Sequence, residues 1–168
     1  MPRAKTTTAS ALAATLQRRT GPLRRLTSPS VGVDVVSIPR WARRLEAGGD
    51  ALIHRIYTEA ELRVAAGRID RLATRLAAKE AVLKALGTGI RGIALRDVEV
   101  RVDRQGKPTI KLGEPAAFRA RQLGLDGVAV SLCHEGGFAI AVAAGYRAPT
   151  PTLPRKRGGR KSGTMSRK

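Results

Sequence analysis

Aromatic side chains are nearly absent from this chain: one Trp, two Tyr and two Phe in 168 residues. A core must therefore be built from Val, Leu, Ile and Ala, and an apolar content of 42% suffices for one domain with tails. There is a single cysteine, Cys133, so no internal disulfide can form, which fits a reducing compartment. No apolar run approaches the roughly 18 residues that span a bilayer, and no secretory-type hydrophobic segment opens the chain. Acidic residues are missing from both ends. Residues 1–30 hold six Lys/Arg and residues 148–168 hold seven, with no Asp or Glu in either.

That last absence changes the meaning of the net charge of +19. All thirteen acids fall in residues 31–147 beside nineteen Lys/Arg, a net +6, so most of the excess belongs to the ends. The opening segment, rich in Thr, Ser, Ala and Arg, has the composition of an organellar transit peptide. Its apolar residues are few and scattered, so it reads as a disordered basic arm or an over-long start. The closing segment, APTPTLPRKRGGRKSGTMSRK, has the Pro, Gly and Lys/Arg content of a disordered tail. Its PRKRGGRK run fits a nucleic-acid patch or a solvated tail equally well. The expected organisation is a disordered basic extension over 1–30, one folded domain over 31–147, and a disordered basic tail over 148–168. No internal repeat is present.

Within the middle the patterns are regular. Val31 to Ile38 has strand character. Trp41 to Leu52 and Thr58 to Ala66 read as helices, the second opened by a Thr58–Glu61 capping box. Arg71 to Leu86 is the strongest helix signal and is closed by Gly87. Val98, Val100 and Val102 alternate with polar residues as a strand, DRQGKP is a turn, and Thr109 to Leu112 returns. Glu114 to Leu123 is a helix stopped by Gly124. Val128 to Cys133 and Phe138 to Ala144 make a hairpin around HEGG. Grouped helices and hairpin-joined strands predict an α+β fold: an antiparallel sheet with a long helix packed on it.

Two places carry charge where apolar residues are expected. In the strand VGVDVVSI, Val31, Val33 and Val35 face one way and Gly32, Asp34 and Val36 the other. Both faces are otherwise apolar, so the strand looks buried, and an acid inside it needs a partner, either a basic side chain or a metal ion. In the helix RLATRLAAKEAVLKALG, Leu72, Leu76, Leu83 and Leu86 form a stripe with Lys79 inside it and Glu80 on its edge. On helix geometry alone the simplest reading is an i,i+4 pair between Glu80 and Lys84 with Lys79 snorkelling. The Gly-Thr-Gly loop that follows can approach a phosphate closely, although glycine is also an ordinary helix stop.

Taken in order, VGVDVVSIPR, RLATRLAAKEAVLKALGTGIRG, DRQGKP and VAVSLCHEGGFAIAVA resemble the holo-acyl-carrier-protein synthase family of 4′-phosphopantetheinyl transferases, from about Val31 to Ala144. The family signature is an acid in the first strand and a W/F-x-x-K-E-x-x-x-K-like helix. The resemblance implies transfer of 4′-phosphopantetheine from coenzyme A to a serine of an apo acyl carrier protein, releasing 3′,5′-ADP and serving fatty acid or polyketide synthesis. It implies Mg²⁺ held by Asp34 and Glu80, with Glu80 and Lys84 catalytic and Lys84 also on the coenzyme A phosphates. Gly87 and Thr88 match a loop near the nucleotide, and Gly106, Lys107 and Pro108 a turn against the adenine. His134 matches a histidine near the 3′-phosphate. Arg40 matches an arginine that docks the acidic carrier, and Arg43 and Arg44 lie beside it. A homotrimer with inter-subunit active sites and a cytoplasmic location are also implied. Leu76 stands where the family commonly has Phe, and the segment from Glu61 to Leu72 looks short, with Arg68, Arg71 and Arg75 as candidate substitutes for its nucleotide contacts.

Other readings remain beside this one. A nucleic-acid-binding protein would interleave basic and aromatic residues on a folded face. Here the basic excess sits in the ends and aromatics are scarce. A non-catalytic relative of the same fold would not need Asp34, Glu80 and Lys84 together. Cys133 reads as a small strand residue rather than a nucleophile.

Overall fold

The computed structural model describes residues 29–89 and 92–148. The expectations for the two basic ends fall, but for their innermost residues, outside the described residues. The elements are β1 (Ser30–Ser37), α1 (Ile38–Ile56), α2 (Glu59–Ala65), α3 (Ile69–Ala85), a 3₁₀ turn (Leu95–Asp97), β2 (Val98–Val102), β3 (Pro108–Leu112), α4 (Glu114–Gln122), β4 (Gly127–Glu135) and β5 (Phe138–Tyr146). The expected order and the α+β class both hold.

One sheet has the order β1-β5-β4, antiparallel throughout, and β2 and β3 form a separate hairpin. Register places Asp34 opposite Ala141, which lies opposite Leu132. Cross-strand partners share a face. On that face β5 contributes only Ala139, Ala141 and Ala143, all fully buried. Small side chains let α3, itself lined by Ala77, Ala78, Ala81 and Ala85, lie close on the sheet. The approach is tightest at Gly32. A Cβ there would overlap the Ala81 carbonyl and come within 2.6 Å of the Ala85 nitrogen and 2.9 Å of the Lys84 Cβ. The Ser30 hydroxyl donates to the Ala85 carbonyl, fastening the start of β1 to the end of α3. Val82, Leu83 and Leu86 are buried to 1% exposure or less. A fully buried leucine contributes about 2 kcal/mol, so these side chains are a main apolar contribution of α3 to the core.

Two local results differ from the sequence expectation. The first helix is longer than Trp41 to Leu52 and spans a break at Gly49, whose φ of 55° only glycine adopts freely. Its first turn accommodates Pro39 because the missing N–H would be unpaired there anyway. Secondly, β1 is buried on one face only. Val31, Val33 and Val35 are 57%, 53% and 55% exposed, because alternation turns them to the side of the sheet away from α3, where no described element packs.

The capping box at α2 forms as expected: the Glu61 N–H donates to Thr58 Oγ1 and the Thr58 N–H to Glu61 Oε2. The stop of α3 is also as expected. Gly87 takes a φ of 67°, its N–H donates to the Lys84 carbonyl and the Thr88 N–H to the Leu83 carbonyl, while Arg119 Nε of α4 caps the Leu86 carbonyl at 2.9 Å. No described helix is long and apolar enough to cross a membrane.

Candidate active site

Because β1 touches α3 at Gly32, the next inward residue of the strand, Asp34, faces the helix turn that carries Glu80 and Lys84. Lys84 Nζ donates to Asp34 Oδ1 at 2.7 Å and to the Val33 carbonyl at 2.9 Å. The lysine therefore pairs across to the strand; the i,i+4 pair with Glu80 that helix geometry suggests does not form. A strand acid was a stronger competitor than a neighbour on the same helix, because Asp34 is only 8% exposed and needs a counter-charge. Its second oxygen, Oδ2, is buried with no partner. Glu80 is half-buried beside it. Burial first, and the Asp34 carboxylate second, push the Glu80 carboxyl above the ordinary range, partly offset by Lys84 and Arg44.

Asp34 and Glu80 open into a cleft of about 770 Å³ between β1, α1, α3 and the segment 93–95, a volume suited to a cofactor-sized ligand. Arg40, Arg44 and Arg55 line the same cleft, so its rim is cationic. Trp41 forms part of its apolar side. That ring is held from behind: Trp41 Nε1 donates to the Tyr57 hydroxyl at 3.0 Å, which donates to the Leu72 carbonyl at 2.8 Å. Burial above all raises the Tyr57 phenol far above its usual pKa, so it stays a neutral donor.

Two carboxylates with one buried unpartnered oxygen suit a hard divalent cation, which prefers oxygen ligands. Among the described residues no group of three or more His, Cys, Asp or Glu side chains converges. The donor set thus fits Mg²⁺, which commonly takes one or two carboxylates and completes its shell with phosphate oxygens and water.

The structure gathers Asp34, Glu80, Lys84, Arg40 and Arg44. It does not gather the rest within one chain. Arg43 is exposed on α1 away from the cleft lining. Gly87 and Thr88 lie past the end of α3, and Gly106, with a φ of 84°, sits with Lys107 at the tip of the β2–β3 hairpin and beside Pro108. His134 is near the end of β4, exposed, with Nε2 3.6 Å from Asp70 Oδ2. Asp70 is also held by Arg68, whose guanidinium draws its carboxyl down to about 2. Arg71 and Arg75 continue this basic flank of α3, and Arg75 Nε is buried without a partner.

Sequence reasoning missed Arg55 and the role of segment 93–95 as a cleft wall, for which no local signal exists. It also misread Lys79. That side chain does not snorkel: it is fully buried, 2.8 Å from Glu61 Oε2. The signal was there, a lysine inside an apolar stripe, but its partner lies on another helix.

The family model that matches residues 30–143 is described as the 4′-phosphopantetheinyl transferase superfamily. The holo-[acyl-carrier-protein] synthase of Shewanella amazonensis is 44% identical over 117 residues, covering 67% of this chain and 94% of that protein. The same enzyme from Neisseria meningitidis superposes with a TM-score of 0.65 at 34% identity, covering 70% of this chain and 97% of that one. The Helicobacter pylori enzyme, solved in complex with coenzyme A, gives 0.63 at 26% identity over 68% of this chain and 98% of that one. Sequence match, fold and the acid pair on its cation-rimmed cleft agree, and the chain belongs to the holo-[acyl-carrier-protein] synthase family of the 4′-phosphopantetheinyl transferase superfamily.

Proposed function

We propose that this chain transfers the 4′-phosphopantetheine arm of coenzyme A to a serine of an apo acyl carrier protein, giving holo carrier and 3′,5′-ADP in support of fatty acid or polyketide synthesis. The observation that carries the reading, beside family membership, is the placement of Asp34 and Glu80 together under a basic rim, with one carboxylate oxygen buried and unpartnered. Asp34 and Glu80 are the residues that would hold Mg²⁺, which supplies charge neutralisation and Lewis-acid polarisation at the pyrophosphate. The serine Oγ forms its bond to the β-phosphorus as the bond to the bridging oxygen breaks, the 3′,5′-ADP departs, and the hydroxyl proton passes to the departing phosphate or to solvent. Lys84, exposed along its stem and tethered at its tip, is placed to neutralise charge on the departing phosphate. Catalysis of this kind is mostly positioning and electrostatics, so no enzyme nucleophile is required.

The remaining contacts belong to the same proposal. Gly87, Thr88, Gly106, Lys107, Pro108 and His134 contact coenzyme A, with His134 beside Asp70 and Asp70 held by Arg68; Arg68, Arg71 and Arg75 are candidates for further nucleotide contacts. Arg40, Arg43 and Arg44 steer the acidic carrier to the cleft. Residues 31–147 form the transferase domain, with 1–30 and 148–168 outside it, in the cytoplasm. Mass spectrometry tests the whole reading: purified protein, coenzyme A, Mg²⁺ and an apo carrier protein should yield the phosphopantetheine adduct, and chelation with EDTA should abolish it until Mg²⁺ is restored. No adduct on any fatty-acid or polyketide carrier would sink the proposal.

A homotrimer with shared active sites is the assembly we propose. Support comes from the bare sheet face, where Val31, Val33 and Val35 continue into Val142, Phe138 and Tyr146, each at least 42% exposed. Apolar patches of this extent are characteristic of interfaces. The scatter of the coenzyme A contacts around one chain is also what a site completed by a second subunit predicts. A Val33→Lys substitution should convert trimer to monomer by light scattering and remove most activity. A variant that remains trimeric, or a monomer that is fully active, would contradict this assembly.

A further inference from the structure

We infer that Lys79 and Glu61 are a positioning pair that sets the spacing between Glu80 and the opposite wall of the coenzyme A cleft. The inference rests on the transfer reading above.

Both side chains are completely buried. Lys79 Nζ meets three acceptors, Glu61 Oε2 at 2.8 Å, the Leu95 carbonyl at 3.1 Å and the Val98 carbonyl at 2.6 Å, which uses all three of its hydrogens. Glu61 is equally saturated: Oε2 also accepts the Thr58 N–H at 2.9 Å and Oε1 accepts the Val100 N–H at 2.9 Å. One ion pair thus ties α3 to the start of α2, to β2 and to the 3₁₀ turn. A buried ion pair is a poor way to gain stability, since two apolar side chains of similar volume usually do as well or better. What it adds is direction: each bond fixes a main-chain atom at a set distance from α3.

The atoms fixed are those the cleft depends on. Lys79 immediately precedes Glu80, so its backbone carries the acid while its ammonium grips Leu95. Leu95, with Ile93 and Ala94, is the wall that faces Asp34 and Glu80. The far side of that wall is held by Asp97, whose Oδ2 accepts the Ala94 N–H at 2.9 Å. The wall is therefore clamped between Asp97 and Lys79, and among its described hydrogen bonds the Lys79 clamp is the one that refers its position to the helix turn carrying Glu80.

The test uses the full chain. Lys79→Met and Glu61→Leu singly each strand a buried charge and should lower the melting temperature. The double variant removes both charges and should melt above either single variant, though below wild type because the Thr58 and Val100 N–H groups and the Leu95 and Val98 carbonyls lose their partners; its kcat/KM for coenzyme A should remain about tenfold or more below wild type, as for loss of a support behind a ligand residue. The KM for the carrier protein should not change. Asp97→Ala, which loosens the other clamp and touches no buried charge, should also lower kcat/KM for coenzyme A. A folded double variant with wild-type coenzyme A kinetics would overturn the inference. If the double variant does not fold, a single variant, Lys79→Met or Glu61→Leu, that folds with wild-type coenzyme A kinetics overturns it instead. Wild-type protein that transfers nothing would remove the transfer reading and this inference together.

Discussion

Gly32→Ala is expected to lower transfer about 100-fold and to destabilise the fold, although it adds only one methyl group. That methyl would overlap the Ala81 carbonyl and crowd the Ala85 nitrogen and the Lys84 Cβ. Two of these are backbone atoms of α3 and cannot rotate away. Strand and helix must therefore separate, and separation is resisted by the Ser30–Ala85 bond and by the buried Ala141 and Ala143 contacts. Overpacking of this kind costs about 1–3 kcal/mol, and more where backbone is involved. Asp34 is two residues along the strand, and its 2.7 Å contact with Lys84 depends on the spacing that Gly32 allows. Displacement of about 1 Å at a reacting centre lowers rates about 100-fold. Thermal melting and the mass-spectrometric transfer assay read the two effects. A variant with wild-type activity would show that the close approach is not what assembles the site.

Glu80→Gln is expected to move activity and stability in opposite directions. Activity should fall by about 100-fold or more, because a neutral amide no longer completes the proposed Mg²⁺ site. Stability at neutral pH should rise. The folded-state pKa of Glu80 is raised by burial and then by Asp34. A carboxyl of that kind favours the folded state most at pH values below its unfolded pKa, about 4.3. That contribution is lost as the pH rises through the raised folded value. Glutamine is never charged, so the variant should melt above wild type at pH 7, and the two should converge near pH 4. Added Mg²⁺ should raise the melting temperature of wild type and leave the variant unmoved. For the same reason wild-type activity should show an acid limb that moves to lower pH as Mg²⁺ is increased, since metal and proton compete for one carboxyl. Equal melting at pH 7 with full activity would remove Glu80 from the metal site.

The elements of this fold were legible because each has a local cause. Alternating valines wrote β2, a capping box wrote the start of α2, and a glycine with positive φ wrote the stop of α3. Where the local cause was missing, so was the expectation. Gly49 breaks α1 through its backbone freedom alone, with no change in the polarity pattern on either side. The valines of β1 read as buried because hydropathy reports a preference for leaving water and does not say which element, or which copy of the chain, will cover them.

The candidate site divides in the same way. Asp34 and Glu80 could be singled out because an acid in an apolar strand and a charged pair on an apolar stripe are each costly without a partner. The order of the surrounding motifs, rather than their periodicity, connected them to a reaction. Partnership was decided by tertiary structure. The spacing of Lys79, Glu80 and Lys84 on one helix lists neighbours along that helix and cannot weigh them against side chains from elsewhere. Packing at Gly32 brought Asp34 to Lys84, and packing of α2 and β2 brought Glu61 to Lys79. The sequence by itself determined which residues carry charge into the interior. The fold determined which charges meet, because electrostatic attraction falls with distance and only the close approach of separate elements makes that distance short.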